Sequence, residues 1–205
     1  MATATPNKTA DIAILAHTAI THPDTVVGSA QDVSAKTGMA TIILFHSSVE
    51  AVANTNSGIF LIQVSGSASG NEDWATIAQI LTTVSTADTE AMTATEPIGE
   101  TVMAVASTTG FVATDYLYLQ NTTLADSEWN RCQEISAGAS ITLIDGLTNQ
   151  QTNTSVIWND CDVVPVQIDI SGVTRIRVVF QHEGATGANC HVKALMVTGD
   201  TYTIA

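Results

Sequence analysis

The chain has 205 residues, of which 45% are hydrophobic and only 13% are charged, and its formal net charge is −14 at pH 7. The apolar content is enough to fill a core, which excludes a disordered chain, and the acidic balance repels phosphate backbones, which argues against nucleic-acid binding. No run approaches the roughly 18 uninterrupted apolar residues of a membrane helix, and we expect no secretion leader because the early apolar run is interrupted by Asp11 and His17. A surface with few charges to desolvate suits assembly with other proteins.

The N-terminal part predicts a loose arm followed by strands. Residues 1–10, MATATPNKTA, are small and polar and predict the arm. Strand-like runs follow in DIAILAHTAI, MATIILFHSS, GIFLIQVSGS and WATIAQILTT. Both alternating faces of MATIILFHSS are largely apolar, which predicts a central strand. The spacing of Trp74, Ile77, Ala78 and Leu81 also fits a helix, but Thr-rich flanks and the preceding turn-like SGSASGNED favour a strand.

The stretch from Glu100 to about Asp162 has a different organisation, because its apolar runs are very short. Turn signals of the Thr-Gly, Asn-Thr, Ala-Gly and Asp-Gly types recur at the spacing of a small antiparallel barrel or sandwich, every 8 to 12 or so residues. The alternating apolar positions are Val102, Ala104 and Ala106, then Leu117 and Leu119, then Ile141 and Leu143.

The C-terminal part predicts three further strands. VVPVQIDI alternates, so we expect a half-buried strand in which Pro165 lies at an edge or a bulge. VTRIRVVFQHE and CHVKALMVTG are joined by GATGAN, which predicts a hairpin. Its core face would comprise Ile176, Val178 and Phe180 on one strand and Leu195 and Val197 on the other. The final TYTIA would add an edge strand.

These segments predict an all-β protein with a nested organisation. The N-terminal strands are too few to close a sandwich, and a lone C-terminal hairpin is marginally stable. We therefore expect residues 1–96 and 164–205 to form one discontinuous antiparallel β-sandwich of jelly-roll-like type, with 1–10 as its flexible arm. Residues 97–163 would form an inserted small β-barrel.

Searches for catalytic and metal-binding patterns lead to a prediction of no enzyme, no cofactor and no metal. The sequence has no GxSxG motif and no Ser, Cys or Thr in an activated setting. His182 and His191 flank GATGAN with Glu183 and Cys190 beside them, which suggests a metal site. Adjacent residues of a strand point to opposite faces, however, so ordinary hairpin positions are the favoured interpretation. No acidic group has the spacing of a calcium loop.

The spacing of the three cysteines and of two neighbouring arginines gives two further expectations. Cys132, Cys161 and Cys190 have no CxxC spacing, so we expect buried thiols in a reducing compartment, with one disulfide plus a spare thiol as the alternative. Arg175 and Arg177 are two apart and should leave the same face of a strand. One such pair is far from a basic stripe, so it predicts a solvated or interface face.

Two segments, TVMAVASTTGFVATDYLYLQ and SEWNRCQEISAGASITLIDGLTN, resemble a module recurrent in phage structural proteins. In that module a strand ends in a Thr-Thr-Gly-Phe turn and a Glu-containing strand precedes a Gly hairpin; here Ala113-Thr114-Asp115 stands where Val-Gly-Asp is more usual. The flanking VSAKTGMATIILFHSS, SGSASGNEDWATIAQ and ISGVTRIRVVF are similar to β-sandwich accessory proteins of tailed phages. The resemblance covers most of the chain through structural turns, and it carries over no catalytic residue.

The resemblance implies a virion component, assembled in the host cytoplasm. It implies a capsid decoration or cement protein on the outer shell of a tailed phage, a homo-oligomer such as a trimer, with the major capsid protein or other virion proteins as partners. The alternative is a carbohydrate-binding or host-adhesion module of a phage tail or fibre. That alternative would use exposed aromatic rings as sugar platforms, whereas core burial of the tryptophans is the competing interpretation. The candidate rings are Trp74, Trp129, Trp158, Tyr116 and Tyr118.

Overall fold

The computed structural model describes residues 11–36, 38–49, 58–70, 73–82, 88–159, 161–183 and 189–198. Within these ranges the chain forms fifteen strands and one single-turn 3₁₀ helix, Leu124–Asp126, and every strand pair is antiparallel. The strands are β1 Ile12–Thr21, β2 Thr25–Val27, β3 Gln31–Asp32, β4 Met39–Ser48, β5 Gly58–Ser65, β6 Ala75–Thr82, β7 Thr89–Ala91, β8 Val102–Ala104, β9 Tyr116–Gln120, β10 Glu128–Ser136, β11 Ser140–Leu143, β12 Val156–Trp158, β13 Cys161–Asp169, β14 Arg175–His182 and β15 Asn189–Thr198. The prediction of an all-β, antiparallel sandwich is confirmed. The predicted arm (1–10), residues 184–188 of the GATGAN connection and the final TYTIA lie outside the described residues.

Two sheets form the sandwich. The first has the strand order β1-β15-β4-β13, and the second has the order β2-β14-β5-β6, with β3 also paired to β14. As predicted, β4 is an interior strand, β6 is a strand rather than a helix, and Pro165 lies on β13 at the edge of its sheet. An edge strand tolerates Pro because one side of its backbone needs no donor. The shared core consists of Ile14, Leu15, Ile20, Val33, Ala40, Ile42, Leu44, Phe60, Ile62, Ile168, Ile170, Ile176, Val178, Phe180, Cys190, Val192, Ala194 and Met196.

The predicted C-terminal hairpin is wrong, because β14 and β15 belong to different sheets. β14 pairs with β2, β3 and β5, whereas β15 pairs with β1 and β4. The two strands therefore face each other across the core and share no hydrogen-bonded ladder. Phe180 on β14 is fully buried, as predicted, but on β15 it is Ala194 and Met196 that enter the core, in place of Leu195 and Val197. A shift of one residue exchanges the two faces of a strand.

A third sheet contains the strands between Thr89 and Trp158, in the order β7-β12-β9-β10-β11-β8. It curls into a half-barrel whose two end strands meet at a bridge between Met92 and Val105, and the Thr93 N–H donates to the Ala104 carbonyl at 2.9 Å. A second core fills it: Met92, Met103, Val105, Phe111, Leu117, Leu119, Cys132, Ile141, Leu143, Leu147 and Ile157.

In β8 and just after it, the core takes the residues between the alternating apolar positions noted in the sequence. Met103 and Val105 are buried, whereas Val102, Ala104 and Ala106 are exposed or only partly buried. With two or three apolar residues on both faces of so short a strand, alternation alone does not choose the face. The domain boundaries at 97 and 163 stay a prediction.

Candidate functional site

The outer face of the second sheet is apolar along its middle. The cross-strand register places Val27, Val179 and Leu61 side by side, with Ile59 and Leu81 paired next to them. These five residues define the outer apolar face. Leu81 is 65% exposed and Val27 is 54% exposed, so nothing in the described part of the chain covers its two ends. Val179 between them is buried, and Ile59 and Leu61 are half-buried. Exposed large apolar side chains bordering such a face are typical of an interaction surface.

Strand β6 borders this face and has an open edge. Its eight residues pair with β5 on one side, and no other described strand pairs with it. The sequence ATIAQILT contains no charged residue and no Pro, which are the usual protections of an edge strand. A register shift opposite Ile62 and Gln63 leaves Ile77 as an extra residue, 47% exposed. Among the described residues of β6, this bulge is the one feature that interrupts a regular row of backbone groups with which another strand could pair.

A polar border limits the outer apolar face at one end. Arg175 and Arg177 leave the same side of β14, as predicted, and both guanidinium groups lie over the ring of Trp74, at 4.8 and 4.2 Å from its centroid. Arg175 also lies 3.5 Å from the Asp73 carboxylate. Arg177 donates to the side-chain oxygen of Gln63 at 2.8 Å. The pair therefore completes a surface network and does not form a phosphate-binding stripe.

On the first sheet, by contrast, the half-barrel covers the outer face around His17, Phe45 and His191, whereas Met39, Pro165 and Gln167 stay exposed. Tyr118 of β9 contacts His17 of β1 and His191 of β15, with its hydroxyl oxygen 3.0 Å from His17 Nε2 and 2.9 Å from His191 Nδ1. The Trp129 ring of β10 packs on His17 and on Phe45 of β4, with centroid distances of 4.8 and 5.5 Å. We call His17, Phe45, Tyr118, Trp129 and His191 the junction cluster, because they hold the half-barrel on the sandwich.

Burial determines the protonation of the junction cluster. It lowers the pKa of His17 to about 4, an effect that the neighbouring His191 and Lys193 increase, and it lowers the pKa of His191 to about 4. Burial also raises the pKa of the Tyr118 hydroxyl. At pH 7 both imidazoles are therefore neutral and the tyrosine is protonated. The cluster is a set of neutral donors, acceptors and aromatic rings, with the charge of Lys193 close to it.

The metal site considered around the C-terminal connection is not brought together. His182 and His191 belong to opposite sheets, and the ring of His182 lies instead 5.5 Å from that of His22. Among the described residues, no three His, Cys, Asp or Glu side chains converge on one point. Sequence reasoning missed the approach of His17 to Tyr118, because 101 residues separate them and no local spacing reports it.

The aromatic residues of the carbohydrate alternative are mostly engaged internally. Tyr118 and Trp129 belong to the junction cluster, the two arginines cover Trp74, and the Trp158 indole donates to Gln120 at 2.8 Å. Tyr116 is 37% exposed and lines a shallow groove of about 310 Å³. The other residues of the groove are Phe45, Trp129, Asn130, Arg131, Ile144, Asp145 and Val163.

All three cysteines of the chain are free thiols. Cys132 and Cys190 are buried, burial raises the pKa of both thiols, and the Cys161 sulfur contacts the Ser47 hydroxyl at 3.4 Å. The three cysteines form no disulfide with one another, and the predicted burial holds for Cys132 and Cys190 but not for Cys161, which is half-buried. In the described part of the chain, no helix has the length and apolar character needed to cross a membrane.

Comparison with known proteins gives no further assignment: no protein-family model matches the chain, and no curated protein matches it at a significant level.

Proposed function

We propose that the protein is a structural component of a tailed-phage virion, a decoration or cement protein that binds the outer shell through protein–protein contacts. The observation that carries the proposal is the outer apolar face: the half-barrel covers part of the outer face of the first sheet, whereas the second sheet presents Leu81 and Val27 to solvent. The resemblance to phage accessory proteins supplies the class of partner.

The layout of this face is that of an interface. Apolar side chains occupy its middle, and glutamines and threonines surround them: Thr25, Gln63, Gln79 and Gln181. Stable interfaces have an apolar centre and a polar rim, with few charges in the centre. Only six lysines and arginines occur among the 205 residues, so the surface carries little side-chain entropy and desolvation cost against binding.

The open edge of β6 offers a second mode of contact in the same place. A partner strand added to β6 would gain backbone hydrogen bonds, while its side chains would reach Leu81 and the bulged Ile77. We therefore expect the partner, the major capsid protein or another copy of this chain, to lie along the β6 border of the outer apolar face.

The test combines purified particles with a matched pair of variants. We expect the protein to co-purify with intact virions at fixed stoichiometry. Leu81→Lys places a charge on the face beside the open edge of β6 and should abolish attachment without unfolding the chain, because Leu81 is largely exposed. Ile98→Lys, at a position 69% exposed on the half-barrel, is the control and should attach normally. Absence from particles, together with saturable binding of a defined glycan that substitution of Tyr116 removes, would favour the adhesion alternative.

A further inference from the structure

We propose that His17, Tyr118 and His191 form a binding site for one divalent transition-metal ion of the imidazole-preferring class, for which Zn²⁺ is the probe. The site joins two strands of the sandwich, β1 and β15, to strand β9 of the half-barrel. It is independent of the outer apolar face and therefore goes beyond the proposed virion function.

The three donor atoms form a closed triangle. Tyr118 Oη lies 3.0 Å from His17 Nε2 and 2.9 Å from His191 Nδ1, and the two nitrogens are 3.3 Å apart. Two ligands at the usual Zn–N distance of about 2.0–2.1 Å subtend about 3.3–3.4 Å at the tetrahedral angle. An ion at that distance from all three atoms would lie about 1 Å out of their plane. A chain of hydrogen bonds through the Tyr118 hydroxyl requires only the two contacts between oxygen and nitrogen. An ion bound by all three atoms also requires the short distance between the two nitrogens.

Neighbouring groups present the two imidazoles in the form that binds metal, and Tyr118 is the ligand that has to lose a proton. The backbone carbonyl of Leu124 accepts a hydrogen bond from the His17 imidazole, which leaves the Nε2 lone pair directed at the triangle. Such a carbonyl behind the second ring nitrogen is typical of metal-ligating histidines. Burial raises the pKa of the Tyr118 hydroxyl, and the hydrogen bond with the Ser127 hydroxyl offsets part of that shift, so a bound ion has to displace the phenolic proton. Because burial keeps both imidazoles neutral at pH 7, neither ring has to lose a net proton when the ion binds.

The protons balance as follows. Without an ion, His191 Nδ1–H donates to Tyr118 Oη, and the Tyr118 hydroxyl donates to His17 Nε2. When the ion binds, His191 moves its proton to Nε2, the Tyr118 proton passes to solvent, and a water takes the fourth position. One proton is therefore released for each ion bound. The charge of Lys193 opposes the ion, and Glu128, which interacts electrostatically with Lys193, offsets part of that charge.

The experiment is a calorimetric titration of the full, tag-free chain with Zn²⁺. We expect one saturable site, with release of about one proton per ion, measured by repeating the titration in buffers of different ionisation enthalpy. His17→Ala and His191→Ala should each weaken binding by more than about 100-fold, because loss even of an outer-shell partner costs about 10–100-fold. His22→Ala, which lies outside the triangle, is the matched control and should bind as the wild type does.

Tyr118→Phe keeps the ring packing and tests the third ligand separately. It should retain weak binding through the two imidazoles and release no proton. With Cu²⁺, the wild type should show a phenolate-to-copper charge-transfer band that Tyr118→Phe lacks. Absence of a saturable site in the wild type would overturn the proposal, as would Zn²⁺ binding that is as tight in both histidine variants as in the His22 control. If an alanine variant is unfolded by circular dichroism, the proton count and the copper band of Tyr118→Phe decide the question.

Discussion

Truncation of Phe180 to Ala tests how the two sheets of the sandwich are held together. Phe180 is fully buried in the middle of the second sheet, between β2 and β5. Its ring lies 4.7 Å from that of Phe60 and 5.8 Å from that of His46, which belongs to the first sheet. The side chain therefore connects the sheets through aromatic contacts at the centre of the core.

The expected cost follows from burial and from the rigidity of the surroundings. Phe→Ala at a fully buried site lowers the free energy of unfolding by about 3–5 kcal/mol, and an aromatic pair adds about 0.5–1.5 kcal/mol to simple area burial. Hydrogen-bonded strands on both sides of Phe180 limit collapse of the cavity, so we expect the upper half of the range, about 4–5 kcal/mol. A loss of this size is a large part of the total stability of an ordinary domain, about 5–15 kcal/mol.

The assay is equilibrium unfolding in guanidinium chloride, followed by circular dichroism and fluorescence. Leu81→Ala, on the same sheet but largely exposed, is the control and should change the unfolding free energy by no more than about 0.5 kcal/mol. A loss below about 1 kcal/mol for Phe180→Ala would refute the placement of this ring in the core, and we would then assign the face of β14 to an intersubunit contact.

Two further outcomes are expected. Burial lowers the pKa of His46 to about 3, below its value of 6.5 in the unfolded chain, so the unfolded state takes up a proton that the folded state excludes. The contribution of His46 to stability is fully present above pH 6.5 and is lost by about 1.4 kcal/mol per pH unit on acidification towards pH 3, in addition to losses of the same sign from His17 and His191. His46→Leu should flatten the pH dependence of the denaturation midpoint between pH 6 and 4 by that slope, and an unchanged slope would contradict the burial of a neutral ring. Replacing residues 97–163 with a short Gly/Ser linker should leave the sandwich folded by circular dichroism and gel filtration. A cut at 88–159 follows the sheets more closely, because it preserves all of β13, and unfolding of both deletions would show that the half-barrel is not a separable insert.

Local sequence patterns predict part of the fold, and the rest depends on strand pairing between distant parts of the chain. Strand β4 was predictable because ten successive positions carry the two-sided apolar pattern of an interior strand, and Pro165 restricted its own strand to an edge or a bulge. The partners of β14 and β15 were not predictable in the same way. Glycines in their connection suggest a hairpin, but a connection of that length equally joins two facing sheets. The apolar faces of the two strands determine the arrangement. Each strand has an apolar face to bury, and a two-stranded hairpin in water would leave both faces exposed.

The candidate sites show the same division. The side-by-side placement of Arg175 and Arg177 followed from the period of a strand. The outer apolar face required the register of four strands, and a sequence alternation does not say which of two apolar faces remains open to solvent. The junction cluster depends on contacts between residues 73 to 174 positions apart. Lone histidines in strand patterns gave no signal of it, because histidine is common both as a core residue and as a ligand.

The pairing of β1 with β15 joins the first described strand to the last, and this has a consequence for biosynthesis. During translation, β1 emerges early, whereas β15, its partner among the described strands, is made last. The strands of the half-barrel are contiguous in the chain, from β7 to β12, so that unit can close on the ribosome while the sandwich is still incomplete. Non-local pairing of this kind slows folding and leaves apolar strand edges exposed for longer. We expect nascent chains stalled before β15 to contain a protease-resistant half-barrel and a protease-sensitive remainder.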